Sequence, residues 1–259
     1  VDRTLELPRS VLLALWLSVP DADRAALLRA VQADDEPHTV HLGEHVGADD
    51  DGRPGPLTRF LDACRDLPRD VAAAVPASGD PAVPAQVSRV ALDAGECVLV
   101  RTPTTCLAAV PAVERFGSPF EPGHLVAWQV LDVDDWRTGV LGTTGSLADA
   151  ERELRQGLID ATEALVRLDV ARWRPEAAEQ IAGLRDAEIP GWRLPEGLDG
   201  RRVRVLASAA RLRAIVALAA HDDGGAVNVW QADQRSTALR EVDRVARRAM
   251  GAAATSIAP

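Results

Sequence analysis

The sequence has 259 residues, with 39 acidic and 29 basic side chains and a formal net charge of −10. At 47% hydrophobic and 26% charged it has the composition of an ordinary globular protein, not of a disordered or membrane chain. Every basic residue is Arg and Tyr is absent. P-loop, kinase and Schiff-base lysine chemistry are therefore excluded, as are tyrosine acids and nucleophiles. Arg without Lys, Val over Ile and Asp over Asn follow GC-rich codons, the bias of a high-GC bacterial genome.

Leu5, Leu7 and Pro8 lead into Leu12, Leu13, Leu15, Trp16 and Leu17, a helix apolar on most faces and so destined for a core. The run Val11 to Val19 is about half a membrane span. No basic leader precedes it, and the expected compartment is the cytoplasm, with no membrane association. Asp21 is the expected N-cap of a helix over Ala22–Gln32, where Ala26, Leu27, Ala30 and Val31 share a face. His38–Leu42 reads as a strand entering the interior, and 43–56 as a loop rich in Gly and Asp. A helix through Leu57, Phe60, Leu61 and Cys64 follows, with a second helical piece from Leu67 to Val75. Pro76 to Pro84 contains three prolines and is the best linker candidate.

In the middle, Val87–Leu92 alternates, Asp93-Ala94-Gly95 is turn-like and Cys97–Val100 returns, which together predict a hairpin. Thr105–Phe116 reads as a helix interrupted by Pro111. Leu125–Val133 is the strongest strand, apolar on both faces like a central strand. From residue 146 the period becomes helical. Leu147, Leu154, Leu158, Ala161, Leu165 and Leu168 predict a long helix, opened by a Ser146/Asp149 capping box after Gly142-Thr143-Thr144-Gly145. Three more helices are expected over Ala171–Asp186, Arg201–Ala220 and Ala232–Ala253, with a loop at Pro190–Gly200. The last two could form an antiparallel pair around His221-Asp222-Asp223-Gly224-Gly225.

Asp34, Asp35, Glu36, His38, His41, Glu44, His45 and Asp49–Asp51 form the one dense cluster of reactive side chains. Within it, His41-Leu42-Gly43-Glu44-His45 spells H-x-x-E-H and resembles the zinc signature of the inverzincin metallopeptidases. The resemblance implies a zinc-dependent hydrolase in which His41 and His45 bind the metal and Glu44 takes a proton from metal-bound water. A third ligand would come from downstream, and Glu121 is the candidate by distance. That chemistry needs a helix, whereas Thr39-Val40, Gly43 and Gly47 favour a strand end running into an acidic loop. On a strand, His41 and His45 would stand about 13 Å apart. The residues by themselves thus call for no cofactor, and zinc belongs to the alternative alone.

The three cysteines, Cys64, Cys97 and Cys106, contain no C-x-x-C pair, which argues against a disulfide framework. A Cys97–Cys106 bridge across a hairpin is the exception to weigh, against two small buried hydrophobes. Residues 201–259 hold ten Arg against five acids, a net of +5, leaving −15 for residues 1–200. Arg240, Arg244, Arg247 and Arg248 would form an outward face of the last helix, and a nucleic-acid-associated role would use it. The whole-chain charge disfavours nucleic acid.

The expected fold is α+β: a small, mostly antiparallel sheet with helices over 1–140, packed against a helical region over 145–259, the two forming either separate domains or one continuous domain. The leading functional reading is a non-catalytic protein-binding or scaffold role, because no catalytic constellation or cofactor fingerprint is complete.

Overall fold

The computed structural model describes residues 4–43, 53–118, 120–167, 179, 181–220 and 229–257. The fold is α+β, as expected. Its chain divides into two compact units. The first comprises Pro8–Thr144, Gly191–Gly197 and Ala254–Pro259, and the second Val1–Leu7, Gly145–Pro190 and Leu198–Ala253.

The first unit is built on a six-stranded sheet. In chain order its elements are α1 (Arg9–Leu17), α2 (Arg24–Gln32), β1 (Thr39–Leu42), β2 (Gly55–Pro56), α3 (Thr58–Ala63), β3 (Asp70–Ala74), α4 (Ser88–Ala94), β4 (Cys97–Arg101), β5 (Cys106–Gly117), β6 (Pro122–Asp132) and α5 (Arg137–Thr144). The strand order is β2-β1-β6-β5-β4-β3. β1 runs parallel to β6 and every other neighbouring pair is antiparallel.

α1 is buried from Ser10 to Leu17, as a helix without a polar face must be. Pro8 offers its N-terminus no side-chain cap. The Glu96 carboxylate supplies one from the α4–β4 turn, accepting the Ser10 N–H at 2.8 Å. At the other end the Arg69 guanidinium donates to the carbonyls of Leu17 (2.6 Å) and Val19 (3.0 Å), and to that of Cys64 at the end of α3 (3.0 Å). One cation thus serves two helix C-termini, where the backbone leaves carbonyls unpaired. Asp23, not Asp21, caps α2, accepting from the N–H groups of Ala25 and Ala26.

Three elements of the middle differ from the sequence reading. Asp70–Ala74 is a strand with every residue buried, although three alanines favour a helix. Burial on both faces of the sheet overrides that preference. Ser88–Ala94 is a helix, ended by Gly95 in the left-handed region at φ 72°. The glycine read as a hairpin turn is a helix C-terminus, and Val87 and Ala91 are buried at helical spacing. Cys106–Gly117 is a strand. Pro111 lies just past Ala109, where pairing with β4 ends, on an edge that tolerates a missing N–H. β6 is confirmed, but only one of its faces is buried, through Val126, Trp128 and Val130. The proline-rich 76–84 segment lies inside the first unit.

Cys97 and Cys106 are free thiols. Cys106 stands opposite Arg101, four residues along β4 from Cys97, which is about 13 Å of strand and too far for a disulfide. Burial pushes the Cys64 thiol up to about 12, and the Cys97 thiol also rises through burial, so both act as apolar filling.

Residues of a later segment complete this unit. Arg193, itself buried, donates to the Ala30 carbonyl at 3.1 Å, and its own carbonyl accepts the Trp16 indole N–H at 2.9 Å. Ser256 forms a two-way backbone bridge with Val71, at 2.8 Å in each direction.

The second unit is helical: α6 (Leu147–Arg167), α7 (Gly200–Ala220) and α8 (Val229–Ala254). The expected capping box opens α6. The Asp149 N–H donates to the Ser146 hydroxyl at 3.2 Å, and that hydroxyl donates to the Asp149 carboxylate at 2.6 Å. Arg202 reaches the Ala253 carbonyl and Arg213 the Asp243 carboxylate, so α7 and α8 run antiparallel, as expected. The 221–225 connection lies outside the described residues, as does most of the helix expected over 171–186.

Ser146→Ala should lower stability by about 1 kcal/mol, since it removes the reciprocal cap of α6. A urea titration will show this as a lower midpoint with an unchanged slope.

Candidate functional site

Of the motif residues, His41 lies on β1, exposed and paired in register with Gln129. Glu121 is exposed in the β5–β6 turn, its N–H donating to the Ser118 hydroxyl at 3.1 Å. Eight strand residues separate Gln129 from Glu121, so the structure holds His41 and Glu121 about 25 Å apart. Glu44 and His45 lie outside the described residues. Among the described residues no group of three His, Cys, Asp or Glu is placed to hold a metal ion.

The part of the reactive cluster that the structure does assemble is the segment before β1. Asp35 accepts from Arg9 through both Nε (2.6 Å) and a terminal nitrogen (2.9 Å), and lies 3.1 Å from His124 Nδ1 and 3.2 Å from His38 Nε2. His38 is buried, and its Nδ1 lies 3.1 Å from the Trp128 indole nitrogen. An indole N–H can only donate, so Nδ1 must be the acceptor and the imidazole proton sits on Nε2, directed at Asp35. Both ring nitrogens are used, which leaves His38 none for a metal or a substrate. Burial pushes the His38 pKa down, against the opposing pull of Asp35. For Asp35 burial acts upward, but the hydrogen bonds from Arg9 and His38 outweigh it and hold the carboxyl below its usual range.

On α8 the outward arginine face is smaller than expected. Arg240 is exposed, but Arg247 is only 6% exposed and donates to Asp243 at 2.8 Å. Arg244 is paired with Glu241. Both pairs lie within α8, so these guanidiniums brace their own helix and do not form a row of free cations. Gly142 lies within α5, and Gly145 precedes the capping box, so the glycine-rich turn is explained by helix ends.

Two features escaped the sequence reading. The first is a β-arm. β4 pairs with β5 only as far as Ala109, and β1 with β6 only down to Ala127, whereas β5 and β6 pair with each other out to Gly117 and Pro122. Along the outer edge of β5 from Val110 to Gly117 no described strand lies alongside. Val113, Phe116 and Leu125 are each more than 40% exposed, and Phe120 at the turn is 95% exposed. Gly117 closes the arm at φ 83°, and a Cβ there would stand 2.3 Å from the Glu121 carbonyl oxygen. Reading 105–116 as a helix hid the arm, although Ser118-Pro119-Phe120-Glu121-Pro122-Gly123 is a turn signal in its own right.

The second is a cleft of about 520 Å³ between the 79–86 loop and the start of α5. Its lining includes Asp80, Pro84, Gln86, Asp134, Trp136 and Val140. Trp136 is 3% exposed, and its indole N–H has no hydrogen-bond partner. A buried donor left unpaired costs about 1–3 kcal/mol. Asp134 is exposed and accepts from the neutral Gln86 amide at 2.6 Å. Asp135 is forked by Arg137, whose hydrogen bonds hold its carboxyl down to about 2.

Residues 10–141 match a family model described as the Rv1486c-like protein N-terminal domain, and residues 148–251 match the corresponding C-terminal domain. The chain belongs to the Rv1486c-like family. The interval between the two family domains contains the Thr144/Gly145 break that separates the compact units. No curated protein and no solved structure matches the chain.

The His38 arrangement sets a pH dependence. With its pKa below the ordinary 6.5 in the fold, the unfolded chain binds more protons as the pH drops under that value. The stabilisation is complete above it and is lost as the pH falls through the depressed native pKa. Thermal melts from pH 8 to pH 5 should therefore show a falling midpoint, with a shallower dependence in His38→Gln. A flat profile in the parent protein would contradict the neutral-imidazole assignment.

Proposed function

We propose that this chain is a protein-binding or scaffold protein that holds another polypeptide on its β5–β6 arm. The observation that carries this reading is the arm itself. A two-stranded ribbon is marginal in water without a third strand or a covering layer, yet this one extends past both of its neighbours. It presents Val113 and Phe116 on β5 and Leu125 on β6. Free edges and exposed apolar side chains are what strand addition uses: backbone pairing supplies affinity and alternate side chains supply selectivity. A shallow groove of about 430 Å³, lined by Pro37, Thr39, Ala112, Glu114, Leu125 and Ala127, runs along the same strands.

A photo-crosslinking residue at position 125 should yield one discrete protein adduct in the native host. The same probe at exposed Asp93 on α4 should not. Gly117→Ala, which forces a side chain against the Glu121 carbonyl, should abolish the adduct while the far-ultraviolet circular dichroism stays that of the parent. Equal adduct patterns at 125 and 93 would refute an arm-specific partner.

A further inference from the structure

The groups that the outer edge of β5 offers can be read residue by residue. The Val133 N–H donates to the Cys106 carbonyl at 3.0 Å, and the Thr102 N–H to the Thr105 carbonyl at 2.9 Å. Cys106 therefore turns its backbone groups toward β6 and Thr105 toward β4, and the two sides alternate along a strand. The register with β6 runs from Leu107 to Gly117 without a bulge, so the alternation holds to the end of the arm. Val113 and Arg115 thus direct both N–H and C=O outward, beyond Ala109, where pairing with β4 stops. Among the described residues no backbone group pairs with them there.

The side chains along this edge carry opposite charges on opposite faces. Glu114 and Arg115 are both exposed, and successive strand residues point to opposite sides. Glu114 shares its face with Phe116 and with Leu125, its partner on β6, while Arg115 shares the other with Val113. Among the described residues neither charge has an ion-pair partner. A second copy of the chain does not answer this pattern. Two β5 edges paired antiparallel are related by a two-fold axis normal to the sheet, which keeps each face on its own side. Even-numbered residues then stand opposite even-numbered ones, so Glu114 never meets Arg115. The charges guard the edge against self-pairing.

We propose that the edge takes, antiparallel, an extended segment of another protein with the order apolar-acidic-basic-apolar. This rests on the arm-binding reading above and names its partner's chemistry. The acid stands opposite Arg115, the base opposite Glu114, and the apolar ends opposite Phe116 and Val113. Val113 and Arg115 exchange both backbone bonds with the residues facing them. The pair at Glu114 lies between those bonded pairs, where strands bring opposed Cα atoms to about 4.5 Å, so the ion pair forms at the closest approach.

The probe is acetyl-Thr-Val-Glu-Arg-Val-Thr-amide, titrated at low salt onto the full ¹⁵N-labelled chain. The Val113 and Arg115 amide peaks should move and saturate. The peptide with Glu and Arg interchanged should bind roughly tenfold more weakly. In Glu114→Arg/Arg115→Glu that preference should invert, which a merely disturbed arm cannot produce. Val113→Pro removes an outward donor, leaves the groups facing β6 in place, and should abolish binding. The proposal is overturned by unmoved Val113 and Arg115 peaks, by equal affinity for the two peptides, or by a preference unchanged in the double variant. A parent chain that favours the interchanged peptide also overturns it, since that order fits a parallel strand. So does a dimer of the chain that Val113→Pro dissolves in sedimentation, because a second copy would then hold the edge. The crosslink at position 125 separates this charge rule from the arm reading. Full adduct yield in Glu114→Arg/Arg115→Glu overturns the rule and leaves the arm reading in place, whereas no adduct in the parent chain refutes the arm reading itself.

Discussion

A neutral imidazole held between an indole N–H and a carboxylate determines where β1 meets β6. His38 precedes β1, Trp128 is on β6, Asp35 follows α2 and Arg9 opens α1. Four elements distant in sequence are therefore joined by one chain of hydrogen bonds with no spare lone pair on the imidazole. The parallel pairing of β1 with β6 depends on it, because a parallel neighbour cannot be fixed by a tight turn. A slip of one residue would turn Val40 outward and His41 inward. The network makes that slip costly, since it would leave the Trp128 N–H buried without its partner and take the His38 N–H from Asp35.

The same sheet explains why the arm exists. Helical cover on one face reaches Ala108 and Val110 of β5, where Trp136, Val140 and Ala91 complete a cluster. Beyond it, β6 is the one described strand that pairs with β5. The strands thus change along their length from core to surface, and the change is visible in β5 as burial through Pro111 followed by exposure from Ala112. A core strand that becomes a surface ribbon without interruption is rigidly anchored at one end, which suits a binding element.

How much of this was legible in the sequence follows the strength of each local signal. α6 and its Ser146/Asp149 cap were readable because period and cap agreed. β6 was readable because Val126, Trp128 and Val130 alternate. β3 was not, since an alanine-rich segment reads as helix unless its burial on two faces is known. α4 was read as a strand because seven residues are too few to separate period 2 from period 3.6, and β5 as a helix because Leu107 to Pro111, buried on both faces, do not alternate. Gly95 and Pro111 then fitted either assignment. At the candidate sites the sequence drew attention to charge density around 34–52, and the structure turns part of that cluster into a structural joint. The indole of Trp136 and the edge of β5 carried no local signature, because an unpaired donor and an uncovered strand are properties of what packs nearby.

The arrangement of the two units along the chain has a consequence for how the protein is made. The first unit takes its last contributions from 191–197 and from Ser256, which bridges Val71 across nearly two hundred residues. During vectorial synthesis the sheet can pair through β6 early, but the Val71 edge of β3 stays open until the ribosome has made residue 256. Trp16 and Ala30 likewise wait for Arg193. The sheet unit is therefore both the first to begin folding and the last to finish, and the helical unit is synthesised within that interval. Cutting the gene at the domain boundary near residue 144 would separate the sheet from the residues that complete it.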